Sequence, residues 1–384
     1  TSYSSVFLMF LIVAVGAAMF KPVASAIVTK STDKRNSSFG FGVFYMMVNI
    51  GGFFGPLFSA KLRDQYGWKI VFIMAAMAIA VNLIIVIFFF KEPNREKNED
   101  SLGDTIIKSL KNILEALSDM KLTLLLVIMV GFWLMFNQLF YTLPVFIEEW
   151  VNTKPLYDAL SNYTPWVAEF FKNKHGGINP EMVVNLDAFF IVVLQMIVST
   201  IILKWKPINA MMTGIFIAVI GIALSFYTSN VFFTIFGILI FAIGEMTSNP
   251  KFSDYIAKIS PKGKEALYMG TYFLPIAFAN LLTKWITGDL YQNLSDKVSL
   301  IRKELTSKNI ELPEISDAYT KNQFYEEAAT KLQMTQDQMT NHIWDIYHPG
   351  NIWYVIAAIG LSTIIGLVIY DYVIKKQLKK AATN

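Results

Sequence analysis

The sequence predicts an all-α, polytopic membrane protein, on three observations. Of 384 residues, 54% are hydrophobic and 16% charged, with a mean hydropathy of +0.45; a soluble chain carries about a quarter charged residues. Apolar residues gather into runs of about 20, the length that crosses roughly 30 Å of hydrocarbon as a helix. The runs lack the alternation of a barrel strand, so each has to satisfy its backbone N–H and C=O groups within itself.

Nine runs qualify: 6–28, 39–60, 70–90, 122–150, 186–203, 208–227, 231–250, 266–290 and 352–374. The first carries Gly16-Ala17-Ala18-Met19-Phe20-Lys21-Pro22, small residues and a proline that loosen the helix and admit close neighbours. In the second, Gly51, Gly52 and Gly55 form a small-residue face that predicts close helix packing. Between the third and fourth, at 91–121, Leu102, Ile106, Leu110, Ile113, Leu114 and Leu117 recur at helical spacing, with Asp104, Lys108, Lys111 and Asp119 on other faces. This predicts an amphipathic helix on the cytoplasmic surface, or a plain linker helix. The polar segments 151–185 and 291–350 are too long for simple turns. The second predicts helices at 321–332 and 335–346, either as solvated surface or as a docking face for a protein partner.

Lysine and arginine set the orientation. With the tail from Lys375 inside, the inner connections hold 19 of them and the short outer connections 6, which favours a cytoplasmic C-terminus and puts Thr1 outside. The segment 91–121 is the longest inner connection, with three runs before it and six after. Many secondary transporters join two six-helix halves around a midplane site. On that plan the nine runs are helices four to twelve of twelve. Residues 1–90 are then the remainder of an N-terminal bundle, 91–121 the linker, and 122–384 a C-terminal six-helix bundle with outer segments 151–185 and 291–350.

Several other functions are excluded or disfavoured. Cysteine is absent, which rules out a disulfide frame and a thiolate metal site. His175, His342 and His348 fall in outer segments without metal-ligand spacing, so no metal or other cofactor is expected. The net charge of +4 is too small and scattered to imply nucleic acid. No phosphate loop is present, since Lys262-Gly263-Lys264 lacks the preceding glycine. An enzyme is not expected, and no cleavable leader is read ahead of the first run.

Charged residues inside the runs are the candidates for chemistry, because a charge at the bilayer centre costs at least about 2.5 kcal/mol unless it meets a cavity or a partner. Lys21 lies well inside the first run, with snorkelling to the interface as the alternative. Glu245 lies deep in the seventh, in Gly244-Glu245-Met246-Thr247-Ser248-Asn249-Pro250, ahead of a proline expected to break the helix; a structural carboxylate at a kink is the alternative. Asp187 is a third candidate, or an outer-interface residue. Lys284 and Asp289 are expected to mark the outer end of their helix.

The stretch from Phe41 to Phe53, Phe-Gly-Val-Phe-Tyr-Met-Met-Val-Asn-Ile-Gly-Gly-Phe, resembles the FYxxxNxG signature of the proton-dependent oligopeptide transporters, a family within the major facilitator superfamily. Val15 to Pro22 resembles the family's fourth helix, with its GxGxxKP pattern. Phe132 to Leu143, with Asn137-Gln138, resembles the seventh. Gly244-Glu245 through Pro261 to Met269-Gly270-Thr271-Tyr272-Phe273-Leu274 resembles the tenth and eleventh. The resemblance implies the major facilitator fold and plasma-membrane uptake of di- and tripeptides with protons, by alternating access. It places Lys21, Tyr45 and Asn49 on one wall of a cavity, and Asn137, Gln138, Glu245, Ser248 and Tyr272 on the other. Lys21 would meet the peptide carboxylate and the coupling proton, and Glu245 the peptide's amino terminus.

The chain also departs from the family pattern. The ExxERF motif of the family's first helix is outside it, so the usual coupling carboxylates have no counterpart here. Asn137 stands where glutamate is common, Tyr272 where tryptophan is usual, and Leu186-Asp187-Ala188 where Leu-Asn-Pro is usual. Asp187 thereby adds a protonatable group, and Lys21, Glu245 and Asp187 are the proton-coupling candidates. The alternatives are a related carrier of another small organic solute, or a non-transporting membrane subunit that docks a partner through its outer segments.

Overall fold

The computed structural model describes residues 3–33, 36–90, 102–173, 176–316 and 318–383. Among them the chain is helical, with no β-strand. Three long helices come first: α1 (Tyr3–Ser31), α2 (Ser37–Tyr66) and α3 (Trp68–Phe89). Gly67, at φ 76°, makes the left-handed turn between α2 and α3 that a side chain would strain. Residues 91–101 lie outside the described residues, as does His175. The expected amphipathic helix follows as α4 (Leu102–Ser118), whose Ala116 is buried against the bundle while Ile107, Leu110 and Leu114 are exposed.

Next come α5 (Met120–Tyr141), α6 (Leu143–Trp150), α7 (Lys154–Tyr163), α8 (Pro165–Phe171), α9 (Pro180–Val184), α10 (Leu186–Ile201), α11 (Pro207–Tyr227) and α12 (Val231–Ile259). Asp119 caps α5 by accepting from Lys121 N, and Asn230 caps α12 by accepting from Phe232 N, which satisfies amides that a helix start leaves open. The run at 122–150 bends at Thr142, because Pro144 has no N–H to offer Phe140 O. Pro250 does not end its helix: α12 continues through it to Ile259, the tolerance expected where neighbouring groups resatisfy the backbone inside a bundle.

The run at 266–290 departs most from expectation. It is broken into α13 (Glu265–Thr271), α14 (Phe273–Lys284) and a π-helical turn (Trp285–Leu290). Pro275 cannot donate to Thr271 O, and the break falls at Tyr272 between them. The other eight runs form stretches long and apolar enough to cross a membrane. Beyond the π-turn lie α15 (Tyr291–Leu294), α16 (Lys297–Ser307), α17 (Lys321–Lys331) and α18 (Gln336–Tyr347), then a 3₁₀ turn (Pro349–Asn351) and α19 (Ile352–Thr383). Thr320 with Gln323 and Thr335 with Gln338 close reciprocal capping boxes at the starts of α17 and α18.

Helices α16 to α18 form a headpiece whose buried Leu300, Ile301, Phe324, Ala328, Met339 and Ile343 continue the apolar core of the helices below. The opposite end of the molecule carries α4 and is called the linker end. In lipid, packing has to come from close contact rather than from apolar burial. The tightest such contact joins α11 to α12: a Cβ on Gly221 would stand 2.2 Å from Phe241 N, and one on Gly244 2.4 Å from Ala218 N. Gly51, Gly52 and Gly55, expected to be such a face, have nothing within 4 Å of a Cβ among the described residues. Helix α2 instead meets its neighbours at Gly42, where a Cβ would lie 2.3 Å from Ser199 Oγ of α10.

Candidate substrate cavity

A cavity of about 420 Å³ opens between α1 and α2 on one side and α5, α12, α14 and the break at Tyr272 on the other. Its first wall presents Ser25, Phe44, Tyr45 and Asn49; its second presents Trp133, Asn137, Glu245, Asn249, Tyr272 and Asn280. At the linker end the lining residues Phe41 and Ser25 are buried, 2% and 4% exposed, whereas toward the headpiece Val48 and Tyr141 are 53% and 52% exposed.

The second wall is built by local accidents of each helix. Tyr272 stands at the break between α13 and α14, and its hydroxyl donates to Asn249 Oδ1 of α12. Asn249 lies one helical turn from Glu245, so both reach the same face. Asn137 Nδ2 donates to Asn280 Oδ1 at 2.8 Å and to Thr283 Oγ1 at 3.1 Å, which fixes α5 against α14. On the first wall Asn49 Nδ2 donates to Tyr45 O at 3.0 Å. Two groups on the second wall are left open: Glu245 Oε2 and Trp133 Nε1 are buried without a hydrogen-bond partner. A buried acceptor and a buried donor facing one space are unfavourable until something polar fills it.

Of the residues expected in the site, Tyr45, Asn49, Asn137, Glu245 and Tyr272 line this cavity together. Gln138 does not. It is fully buried, donates to Leu134 O at 2.8 Å and accepts from Thr142 Oγ1 at 2.6 Å, so it holds the α5 bend. Ser248 does not either: its hydroxyl bonds back to Gly244 O at 2.9 Å, on the face that packs against Gly214 of α11. Lys21 falls in α1, and its side chain lies outside the described residues. Asp187 is 2% exposed on the first turn of α10, away from the cavity lining, with Oδ1 unpartnered. Two residues earlier, at the start of the same helix, Asn185 Nδ2 donates across to Phe53 O of α2 at 3.1 Å.

Sequence reasoning missed Trp133, Asn249, Asn280 and Ser25. Two of these carried a legible signal, since Asn249 follows Glu245 by four residues and Ser25 follows Lys21 by four. Trp133 carried none, standing in an apolar run next to Phe132 and Phe136. Among the described residues no group of His, Asp and Glu is placed to hold a metal. The arrangement suits a small solute with a polar, cationic part for Glu245 and an apolar part for the ring-lined wall of Phe44, Phe136, Phe140 and Phe273.

Comparison with known proteins agrees in kind. Over 129 residues the chain is 29% identical to a dipeptide and tripeptide permease A of Yersinia pestis, covering 33% of this chain and 24% of that protein. Over 99 residues it is 31% identical to the uncharacterized transporter YclF of Bacillus subtilis (strain 168), covering 25% and 19%. Over 93 residues it is 33% identical to a probable sphingolipid transporter, spinster homolog 1, of Arabidopsis thaliana, covering 24% and 18%. The matched stretches span a quarter or less of the length of these curated relatives. The family description Major Facilitator Superfamily matches residues 1–283. The chain is therefore a multi-pass membrane protein that belongs to the Major Facilitator Superfamily.

Proposed function

We propose that the chain carries di- and tripeptides across the plasma membrane together with protons, by alternating access. Residues 1–90 serve as part of one bundle, 91–121 as the linker and 122–384 as the other bundle, with the C-terminus cytoplasmic. The observation that carries this reading is Glu245, a carboxylate with one unbonded oxygen at the wall of a cavity framed by helices from both parts of the chain. A zwitterion needs opposite charges at opposite ends; Glu245 supplies the negative one for an amino terminus and Lys21 the positive one for a carboxylate. The name of the Yersinia pestis relative supports the same substrate class. Asp187 is the second protonatable group, buried on the first turn of α10 and outside the cavity lining.

Uptake of a labelled dipeptide into proteoliposomes tests this. An inward proton gradient is expected to accelerate uptake, and Glu245→Gln to reduce it by at least about tenfold, the effect of losing one charged contact. Asp187→Asn should weaken the response to the gradient more than exchange of peptide without one. Uptake left intact by both Lys21→Ala and Glu245→Ala would sink the site assignment. The ring-lined wall and the Arabidopsis relative favour one second reading, a carrier of an amphiphilic organic solute. Transport of a labelled amphiphile by a protein that ignores dipeptides would select it.

A further inference from the structure

A second cluster of buried charge lies below the cavity, at the linker end. Asp254 of α12 is fully buried, about one helical turn beyond Asn249 and Pro250, which line the cavity's lower edge. Its Oδ1 accepts from the hydroxyl of Ser37, the first residue of α2, and its Oδ2 pairs with Lys258 Nζ at 2.7 Å. The carboxylate thus sits at the positive end of a 30-residue helix that belongs to the other wall. Both ends of this contact are held rigidly. Asp33 and Asn36 exchange hydrogen bonds of 2.7 and 3.0 Å that brace the turn from α1 into α2. On the other side Lys251, buried one turn before Asp254, donates to Leu203 O at 3.2 Å and Trp205 O at 3.3 Å, which fastens α12 to the turn joining α10 and α11.

We propose that Asp254, through its hydrogen bond to Ser37, is a positioning residue that latches the linker end of the cavity shut, and that this bond breaks whenever that end opens. Lys258 stays with Oδ2 on the same helix, but separating α2 from α12 leaves Oδ1 either open to water or short of a donor. The two arrangements, Ser37 on Asp254 or each in water, make a two-state element whose balance a single oxygen can tilt. The inference concerns how the cavity is sealed and holds whatever solute the cavity carries.

The chain has no cysteine, so a single reporter thiol reads accessibility cleanly. With Ser25→Cys, at the closed end of the cavity, an impermeant maleimide presented to the linker side of sealed vesicles should react slowly. Adding Ser37→Ala or Asp254→Asn should raise the rate about tenfold, the factor expected from one hydrogen bond to a charged group. Ser37→Thr keeps the hydroxyl and should restore the slow rate, which a merely structural role for the site would not require. Should Asp254→Asn not fold, the contrast between Ser37→Ala and Ser37→Thr decides alone, since it removes or keeps one oxygen at a helix start. Rates within twofold of each other for the two Ser37 substitutions would overturn the latch.

Discussion

Glu149, at the tip of α6, gathers donors from three separate segments: Tyr291 Oη at 2.9 Å, Lys297 N at 3.1 Å and Lys321 Nζ at 2.8 Å. Lys297 Nζ reaches the Glu149 backbone oxygen at 3.0 Å and lies over the rings of Trp150 and Tyr325. Burial, reinforced by the like charge of Lys321 against the pull of Glu149, lowers the Lys297 ammonium to about 8. The unfolded chain keeps that proton to about pH 10.4. Between these values the unfolded state binds more protons than the folded one, so headpiece stability rises as the pH is raised from about 8 toward 10. Chemical unfolding followed by tryptophan fluorescence should show the rise, and Lys297→Met should flatten it; an equal rise in both would refute the assignment. None of this was legible beforehand, because Glu149 and Glu148 look alike in sequence and only the fold turns one inward. Residue identities taken from motifs fared unevenly for the same reason. Tyr45, Asn49 and Glu245 reach the cavity, while Gln138 and Ser248, one position away from cavity residues or one turn along, point into helix contacts.

At the scale of the helices, glycine has opposite meanings at two places that sequence reasoning could not tell apart. On α11 and α12 the missing side chains let two backbones touch, and a methyl group on Gly221 would overlap Phe241 N at 2.2 Å. On α2, Gly51 has open space around it among the described residues. Gly221→Ala is expected to cost about 2–3 kcal/mol by overpacking against rigid backbone. Gly51→Ala should be neutral or stabilising by up to about 1 kcal/mol, since alanine favours a helix interior. Thermal unfolding in detergent checks the pair, and equal losses in the two variants would contradict this account. Apolar run length identified the helices themselves because lipid leaves a crossing backbone no other choice. Their breaks were not identified, because a proline stops one helix and bends another: Pro144 and Pro275 coincide with breaks, while α12 passes straight through Pro250. What decides is whether neighbouring groups resatisfy the freed carbonyl, which depends on contacts far along the chain.

At the scale of the whole molecule, the apolar runs already implied an all-α membrane fold, since each run follows from local composition. The shape of the cavity did not follow, because it depends on which ends of α1 and α2 press against α12 and α13. In this structure the pressing ends are at the linker: Gly42 admits Ser199 of α10, Ser37 meets Asp254, and Phe41 is buried beneath. Toward the headpiece the lining residues Val48 and Tyr141 are exposed. Such asymmetry is what alternating access requires of any single state, a site reachable from one side at a time. It predicts that an impermeant thiol reagent supplied from the headpiece side modifies Val48→Cys at least about tenfold faster than Phe41→Cys, in proportion to how often each is uncovered. Supplying the reagent from the linker side should slow the Val48→Cys reaction, because the reagent would have to pass the closed contacts. Similar rates at the two positions from the headpiece side would mean that the cavity is not a one-sided funnel, and that the closure seen at Phe41 does not hold in the membrane.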